Sequence, residues 1–333
     1  MKRSKSFSLR KIRLFFTEIS NLLNYSPVIA LMIFTLSVTS ASSTAPDTDI
    51  FNISEVAPGI YLHEGVHVTF EDKQHDDIAN IGFIIGDKCT AVIDTGGSVT
   101  IGSNLHKAIQ ETTDKPVCYV INTHIHFDHV LGNQPFADEH PEFVGNEALK
   151  AEIEENRSFF LKQYLNDLGP NPSTDSIIGP GIGVTDMKEL DIGNRKLVLT
   201  AYPTAHSYSD LTVLDEKTGT LWAGDLLFRE RIPSLTGDLK GWLKVMESLK
   251  TLHVNLVIPG HGTTTAKNLS EAMQDQKRYL DTLLTETRQA IADGLFLDEA
   301  LERIGNDEKV HWLLHEQHHK ANVIKAFTGL EWE

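Results

Sequence analysis

The chain after residue 53 carries short apolar runs that alternate with turns, a pattern typical of β-strands. It predicts strands at residues 60–63, 66–70, 81–85, 91–93 and 117–121, with a hairpin turn at 86–88. Before the last of these strands, residues 101–112 place apolar side chains at helical spacing and end at a turn. Strand, helix and strand in this order indicate an α/β arrangement of layers.

A second half with a similar pattern runs from about residue 184 to residue 259. It predicts strands at 197–200, 211–214, 221–223 and 254–258, and a helix at 239–252. The chain after residue 266 reads as helices to its end, at 271–292, 297–304 and 310–327. We therefore expect an α/β domain at residues 53–265 and a helical extension at 266–333 that forms a cap or an interface.

Residues 147–192 separate the two halves. They begin as a charged helix that reaches about residue 168 and then become rich in glycine and proline. A segment of this kind serves either as a lid or pocket wall, or as an ordinary connector.

The first 45 residues have the composition of a secretory signal. Six basic residues and one acid precede an uncharged stretch at 27–45, whose apolar part is about a dozen residues long. That length is short of the roughly 20 residues of a spanning helix, so cleavage is favoured over an uncleaved anchor. We expect export and no stable membrane insertion after cleavage.

The 333-residue chain is acidic, with a net charge of −16, and removal of residues 1–45 would leave about −21. This charge argues against nucleic acid and anionic lipid as partners, because phosphates would be repelled. The chain has two cysteines, Cys89 and Cys118, near the starts of two predicted strands. They form either a disulfide, which an exported protein permits, or two buried free thiols.

The candidate chemistry begins with a run of four metal-binding side chains directly after a predicted strand. His124, His126, Asp128 and His129 lie within six residues, in the pattern His-x-His-x-Asp-His. A single histidine or aspartate is usually an ordinary surface or core residue, but structural reasons for four in such a turn are few. Imidazoles with a carboxylate suit a Zn²⁺ site that keeps an open position.

Three further candidate ligands follow downstream. His206, Asp225 and His261 each lie at the end of an apolar segment beside small residues, where a ligand at a strand end is expected. Together the motifs indicate a dinuclear site that holds two Zn²⁺ per chain, although Fe or Mn would also accept these donors.

These motifs, in this order from about residue 53 to residue 261, resemble the metallo-β-lactamase superfamily. The resemblance implies a four-layer αβ/βα sandwich with the metals at one edge. It assigns His124, His126 and His206 to one metal, Asp128, His129 and His261 to the other, and Asp225 to a bridging position. It also implies that Asp94 hydrogen-bonds to a ligand from behind, which would fix the orientation of that ligand.

The resemblance further implies metal-assisted hydrolysis, in which an activated hydroxide attacks a small ester, thioester or lactone. Asp128 is the candidate catalytic residue that orients the hydroxide and passes a proton. The best-known zinc β-lactamases carry cysteine where this chain has Asp225, which argues against β-lactam hydrolysis. Aspartate at this position is similar to the glyoxalase II and lactonase branches.

The segments at 222–235, 239–243, 257–262 and 330–333 look most like the exported zinc metallohydrolases of quinoprotein relay systems, relatives of a thiosulfate-oxidation accessory protein. That resemblance implies a periplasmic enzyme that serves a quinoprotein dehydrogenase. Three alternatives stay open: a mono-iron, persulfide-dioxygenase-like enzyme, a β-lactam hydrolase, and a non-catalytic accessory protein. A di-iron redox centre is disfavoured, because that branch usually has an acidic residue in place of His126.

Basic residues that follow Asp225 are candidates for substrate binding. Arg229, Arg231 and Lys240 could hold a substrate carboxylate or phosphate, or could instead pair with neighbouring acids such as Glu230 and Asp238. The last predicted helix carries a group of histidines that either chelates a metal or forms a solvated face, namely His311, His315, His318 and His319.

Overall fold

The computed structural model describes residues 51–266 and 268–333. The first of its two sheets has seven strands in chain order. The first four strands pair antiparallel, and the fourth to the seventh pair parallel. Its strands are β1 (Ser54–Ala57), β2 (Ile60–His63), β3 (Ile81–Ile85), β4 (Thr90–Ile93), β5 (Val117–Ile121), β6 (Glu142–Asn146) and β7 (Ile182–Val184).

The second sheet has five strands in the order β12-β11-β10-β9-β8. Only the β11–β12 pair is parallel among the pairs of this sheet, and the other pairs are antiparallel. Its strands are β8 (Met187–Asp191), β9 (Lys196–Ala201), β10 (Leu211–Asp215), β11 (Thr220–Phe228) and β12 (Leu256–His261).

Helices cover the outer faces of both sheets. The longer ones are amphipathic or carry buried apolar residues on one side, and the helices are α1 (Val99–Thr112), α2 (Phe127–Val130), α3 (Glu147–Gln163), α4 (Leu239–Leu249), α5 (Leu269–Ala272), α6 (Gln274–Ala292), α7 (Leu297–Leu301) and α8 (His315–Leu330). One apolar core lies between the sheets, where Ile84 and Ile93 of the first meet Leu199 and Trp222 of the second. Three further cores lie beneath the helices. This arrangement confirms the predicted four-layer sandwich with a C-terminal helical extension.

Two predicted elements differ from the structure. Residues 66–70 are a loop, because β2 already pairs with β3, and Asp72 accepts hydrogen bonds from the backbone and side chain of Thr69. The last helix begins at His315 rather than at residue 310. Residues Asn306–His311 form a 3₁₀ turn, and the backbone of Leu313 pairs with Glu230 and Ile232 instead of continuing a helix.

The helical extension packs on the second sheet. Among the described residues, no helix is long and apolar enough to cross a membrane. The predicted signal segment, residues 1–45, lies outside the described residues.

Cys89 and Cys118 form a disulfide with Cα atoms 5.8 Å apart. Cys89 lies just before β4 and Cys118 lies in β5, the parallel neighbour of β4, so the bond joins adjacent strands at the same height. Both strands lead to the candidate site, since β4 ends before Asp94 and β5 ends before His124.

Replacement of both cysteines by serine should lower the free energy of unfolding by about 3 kcal/mol, because the cross-link closes a loop of 29 residues in the unfolded chain. Urea denaturation of the oxidised wild type and the double variant measures this difference. A reducing agent should destabilise the wild type but leave the double variant unchanged. Equal midpoints for the two proteins under oxidising conditions would contradict the prediction.

Candidate functional site

The candidate metal ligands converge from the carboxyl ends of strands in both sheets. The turn after β5 carries His124 to His129, the loop after β9 carries His206, and β12 ends at His261. Asp225 lies within β11, and the close approach of β12 to it requires glycine. A Cβ at Gly260 would lie 1.9 Å from Oδ1 of Asp225.

The first group of donors consists of three imidazoles and Asp225. Nδ1 of His126 lies 2.9 Å from Nε2 of His124 and 2.9 Å from Nε2 of His206. The second group consists of Asp128, His129 and His261, with Nε2 of His261 3.3 Å from Oδ2 of Asp128. All seven predicted ligands are therefore brought together, and the two sets of three agree with those that the resemblance implies, with Asp225 grouped beside the first.

Asp225 lies between the two groups. Its Oδ2 is 3.2 Å from Nε2 of His206 in the first group and 3.3 Å from Nε2 of His261 in the second. Its Oδ1 is 3.2 Å from Nε2 of His129. A carboxylate with contacts to both groups is placed to bridge two cations.

Hydrogen bonds behind the cluster fix the tautomer of each imidazole. Nδ1 of His206 donates to the carbonyl of Ser234, and Nδ1 of His261 donates to the carbonyl of Ile78. Nδ1 of His129 donates to Asp94. The Thr123 hydroxyl donates to Asp94 and accepts from Nδ1 of His124. The Thr236 hydroxyl donates to the carbonyl of His206 and accepts from Nε2 of His126. The second nitrogen of every ring therefore faces the cluster, where its unprotonated form can bind a metal, as in metal-binding histidines.

Asp94 connects the two strand ends behind the site. Its carboxylate accepts from the Thr123 backbone and hydroxyl at 2.8 Å each, and from His129 Nδ1 at 2.8 Å. Its backbone has a φ of 54°, a left-handed conformation that aspartate tolerates better than most residues. Asp94 therefore lies behind His129 and hydrogen-bonds to this ligand, as predicted.

Electrostatics at the cluster favour a bound positive charge. Burial lowers the pKa of His124 and His206 well below the usual value, so both are neutral. Burial opposes a charge on His129 too, but the carboxylates of Asp225, Asp128 and Asp94 outweigh it and raise the pKa of His129. Burial of Asp225 is likewise outweighed, by the surrounding imidazoles, and its pKa is well below the usual value.

The residues fit a divalent metal. Nε2 of His129 and Oδ1 of Asp225 are buried, face the cluster and lie 3.2 Å apart, but neither makes a hydrogen bond of good geometry. Buried polar atoms of folded proteins nearly always have a partner, and a cation among the seven donors would supply it. The set of five imidazoles and two carboxylates, with no thiolate, suits Zn²⁺ and also accepts iron or manganese.

A cavity of about 250 Å³ opens onto the cluster. Ligands at its floor include Asp128, Asp225 and His261, and apolar side chains form much of its wall, namely Val68, Phe70, Ile78, Phe127 and Phe228. No residue of 147–192 lines this cavity. That segment instead supports the wall, since the ring of Tyr164 stacks on Phe127 at 4.7 Å.

The three predicted substrate-binding residues have different positions. Arg231 is buried and lines the cavity. Arg229 donates to the carbonyls of Thr263 and Thr264, and Lys240 pairs with Glu333, so neither lines the cavity. Arg229 and Lys240 therefore have other partners and do not face the cavity in which a substrate would bind.

His318 lines the cavity and was not predicted as a site residue. The last helix was expected to present its histidines either to a metal or to solvent, but His315 and His319 are buried, and His319 bonds to Tyr279 and Ile304. Burial and then Arg231 lower the pKa of His318 to about 4, so its ring is neutral near pH 7. Only the contact of α8 with the segment after β11 identifies His318, and local sequence carries no signal of it.

Asp94→Asn should weaken Zn²⁺ binding by about 10- to 100-fold, because an amide cannot accept hydrogen bonds from His129 and Thr123 as the carboxylate does. A competition titration with a chromophoric chelator measures the affinity. The matched control is Asp215→Asn, which breaks a buried ion pair with Arg195 away from the cluster. It should lower stability but not affinity, and equal losses of affinity in both variants would refute the role given to Asp94.

The comparisons with known proteins agree with this fold. The family model described as the metallo-beta-lactamase superfamily matches residues 76–261, while no curated protein matches the chain. The fold is similar to a metallo-beta-lactamase from Pontibacter korlensis, with 17% identity, a TM-score of 0.56, and coverage of 69% of this chain and 98% of the other. It is also similar to the stereoselective inverting sec-alkylsulfatase Pisa1 from Pseudomonas sp., with 17% identity, a TM-score of 0.64, and coverage of 84% of this chain but 50% of the sulfatase. Since the family match spans more than half of its length, the chain belongs to the metallo-β-lactamase superfamily.

Proposed function

We propose that this protein is a metal-dependent hydrolase that acts on a small ester, thioester or lactone. The observation that carries the proposal is the position of Asp225 between two groups of metal-binding side chains, at the floor of a cavity. A site that only stored or sensed a metal would not need a carboxylate between two metal positions, nor an open cavity above them.

The chain's own residues define what the site can do. Divalent cations bound there would acidify a water molecule and polarise the attacked bond. Asp128 lines the cavity, and its Oδ2 lies 3.3 Å from His261 and 3.6 Å from His129. It is therefore placed both to hold the attacking water and to take up its proton.

The shape and lining of the cavity support a small substrate. A volume of about 250 Å³ is below the usual range of drug-sized ligand pockets. The apolar wall, which includes Phe70 and Phe127, would shield one side of the reacting group from water. Asp225, in place of the cysteine of the best-known zinc β-lactamases, continues to argue against a β-lactam substrate.

An oxygen-dependent, sulfur-oxidising enzyme with one iron is the second candidate, because the same donor set accepts iron. The two candidates differ in metal content and in their need for oxygen. Protein purified without added metal should contain about two Zn per chain if the hydrolase proposal holds. One Fe per chain, together with oxygen-dependent consumption of a persulfide, would favour the second candidate.

Export to the periplasm and a quinoprotein dehydrogenase partner are part of the proposal. The Cys89–Cys118 disulfide supports an oxidising compartment, and the basic and apolar residues of 1–45 support a signal peptide. Fractionation of cells that express the full chain, and a pull-down from the periplasmic fraction, test these two statements separately. A cytoplasmic protein without its disulfide would refute export.

Asp225→Ala should lower hydrolysis of the best ester, thioester or lactone substrate by at least about a hundredfold, because the carboxylate between the two donor groups is lost. Asp128→Asn should also lower kcat, but this variant should retain more of its bound metal than Asp225→Ala does. Assays of the zinc-loaded proteins, with metal content measured on the same samples, separate these effects.

The matched control is His253→Ala, which removes an exposed histidine outside the site and should leave the rate unchanged. Full activity in Asp225→Ala, with metal bound as in the wild type, would refute the proposed mechanism.

A further inference from the structure

Arg231 is a buried cation beside the candidate active site. Its side chain is 4% exposed and lines the cavity together with Asp128 and Asp225. The chain reaches this position through Glu230, whose φ of 68° turns the backbone after β11. The carboxylate of Glu230 accepts from Thr263 and contacts His67, so it does not pair with Arg231.

The guanidinium of Arg231 has more donors than partners. Nη2 donates to Nε2 of His318 at 3.2 Å, and Nε is buried without a partner. Nη1 lies 3.2 Å from Nδ1 of His261, but that nitrogen already donates to the carbonyl of Ile78 at 2.6 Å and cannot accept. In the described part of the chain no carboxylate forms an ion pair with Arg231, which is unusual for a buried charge.

The helical extension holds Arg231 in this position. The backbone of Leu313 accepts from Ile232 and donates to Glu230, so it flanks Arg231 on both sides. One turn into α8, His318 accepts from the guanidinium. Arg231 is thus fixed by backbone and side-chain contacts before any ligand arrives, which is the condition for binding without an ordering cost.

An anion at this position would satisfy the open donors. The planar guanidinium presents parallel N–H groups that match the oxygens of a carboxylate or a sulfonate. Asp128 and Asp225 would repel such a group in the metal-free protein. Divalent cations at the cluster reverse the sign of the local charge, so the anion would be attracted both to them and to Arg231.

We infer that Arg231, oriented by His318, binds an acidic group of the substrate, and that the substrates are small acids with an apolar part. The acidic group lies on Arg231, the bond to be broken lies over the metal ligands, and the apolar part lies against Phe70 and Phe127. This inference rests on the proposed function, because it describes the same cavity, and it adds charge to the description of the substrate. His318 is a positioning residue in this account.

A pair of ligands with the same shape and different charge tests the inference. Benzenesulfonate carries an anion, methyl phenyl sulfone is neutral, and the phenyl ring of each fits an apolar wall. Calorimetric titration of the zinc-loaded protein should show that it prefers the sulfonate by about tenfold or more, because hydrogen bonds to a charged group are involved. Arg231→Gln should remove most of this preference and leave only the part that the metals provide.

Three further variants make the result specific. Arg229→Gln, which removes a neighbouring arginine outside the cavity, should keep the preference. His318→Phe should reduce the preference for the sulfonate, whereas His318→Gln, which retains a hydrogen-bond acceptor, should keep most of it. Arg231→Lys keeps the charge but loses the parallel N–H groups of the guanidinium, so its preference for the sulfonate should be intermediate. This variant replaces Arg231→Gln in the test if the latter does not fold.

The outcome is separable from that of the proposed function. If Arg231→Gln retains the full preference for the sulfonate, the metals alone bind the anion and the inference is wrong, whether or not esters are hydrolysed. If the preference depends on Arg231 and no ester, thioester or lactone is hydrolysed, the anion site stands and the proposed function fails. An equal affinity of the wild type for both ligands would overturn the inference directly.

Discussion

The structure depends on holding seven metal-binding side chains within a few ångströms of one another in a buried place. Five imidazoles and two carboxylates direct nitrogen and oxygen atoms into the cluster, with all donor atoms of each group within 4.8 Å of one another. Lone pairs brought so close repel unless a cation lies among them, and burial makes the repulsion stronger. The fold must therefore supply rigid support from behind, which it does through Asp94, Thr123, Thr236 and backbone carbonyls.

The two-sheet architecture gives this support its rigidity. The ligands stand at strand ends of two sheets that share one apolar core, so a shift of either sheet would separate them. The disulfide ties β4 to β5, the two strands that lead to Asp94 and His124. The metal site and the core between the sheets thus constrain each other, and binding of the metal is expected to stabilise the fold.

The fold and the metal ligands could largely be predicted from the sequence because their signals are local. Contacts between residues that are distant in the sequence could not be predicted in this way. The His-x-His-x-Asp-His turn is local, and the periodicity of the strands and helices is local, so both could be predicted from short segments. The loop at 66–70 has the apolar alternation of a strand, but β2 pairs directly with β3 and these residues join neither. The role of His318 depends on a contact with Arg231 across 87 residues, and no local pattern reports such a contact. The positions of Arg229 and Lys240 depend on partners 35 and 93 residues away in the sequence.

The most direct test of the account is the position of the metals themselves. Crystals of the zinc-loaded protein, measured at wavelengths above and below the zinc absorption edge, should give two anomalous peaks per chain. One should lie among His124, His126 and His206, the other among Asp128, His129 and His261, with Asp225 in contact with both. No peak at this cluster, or zinc bound only at the histidines of α8, would contradict the central claim.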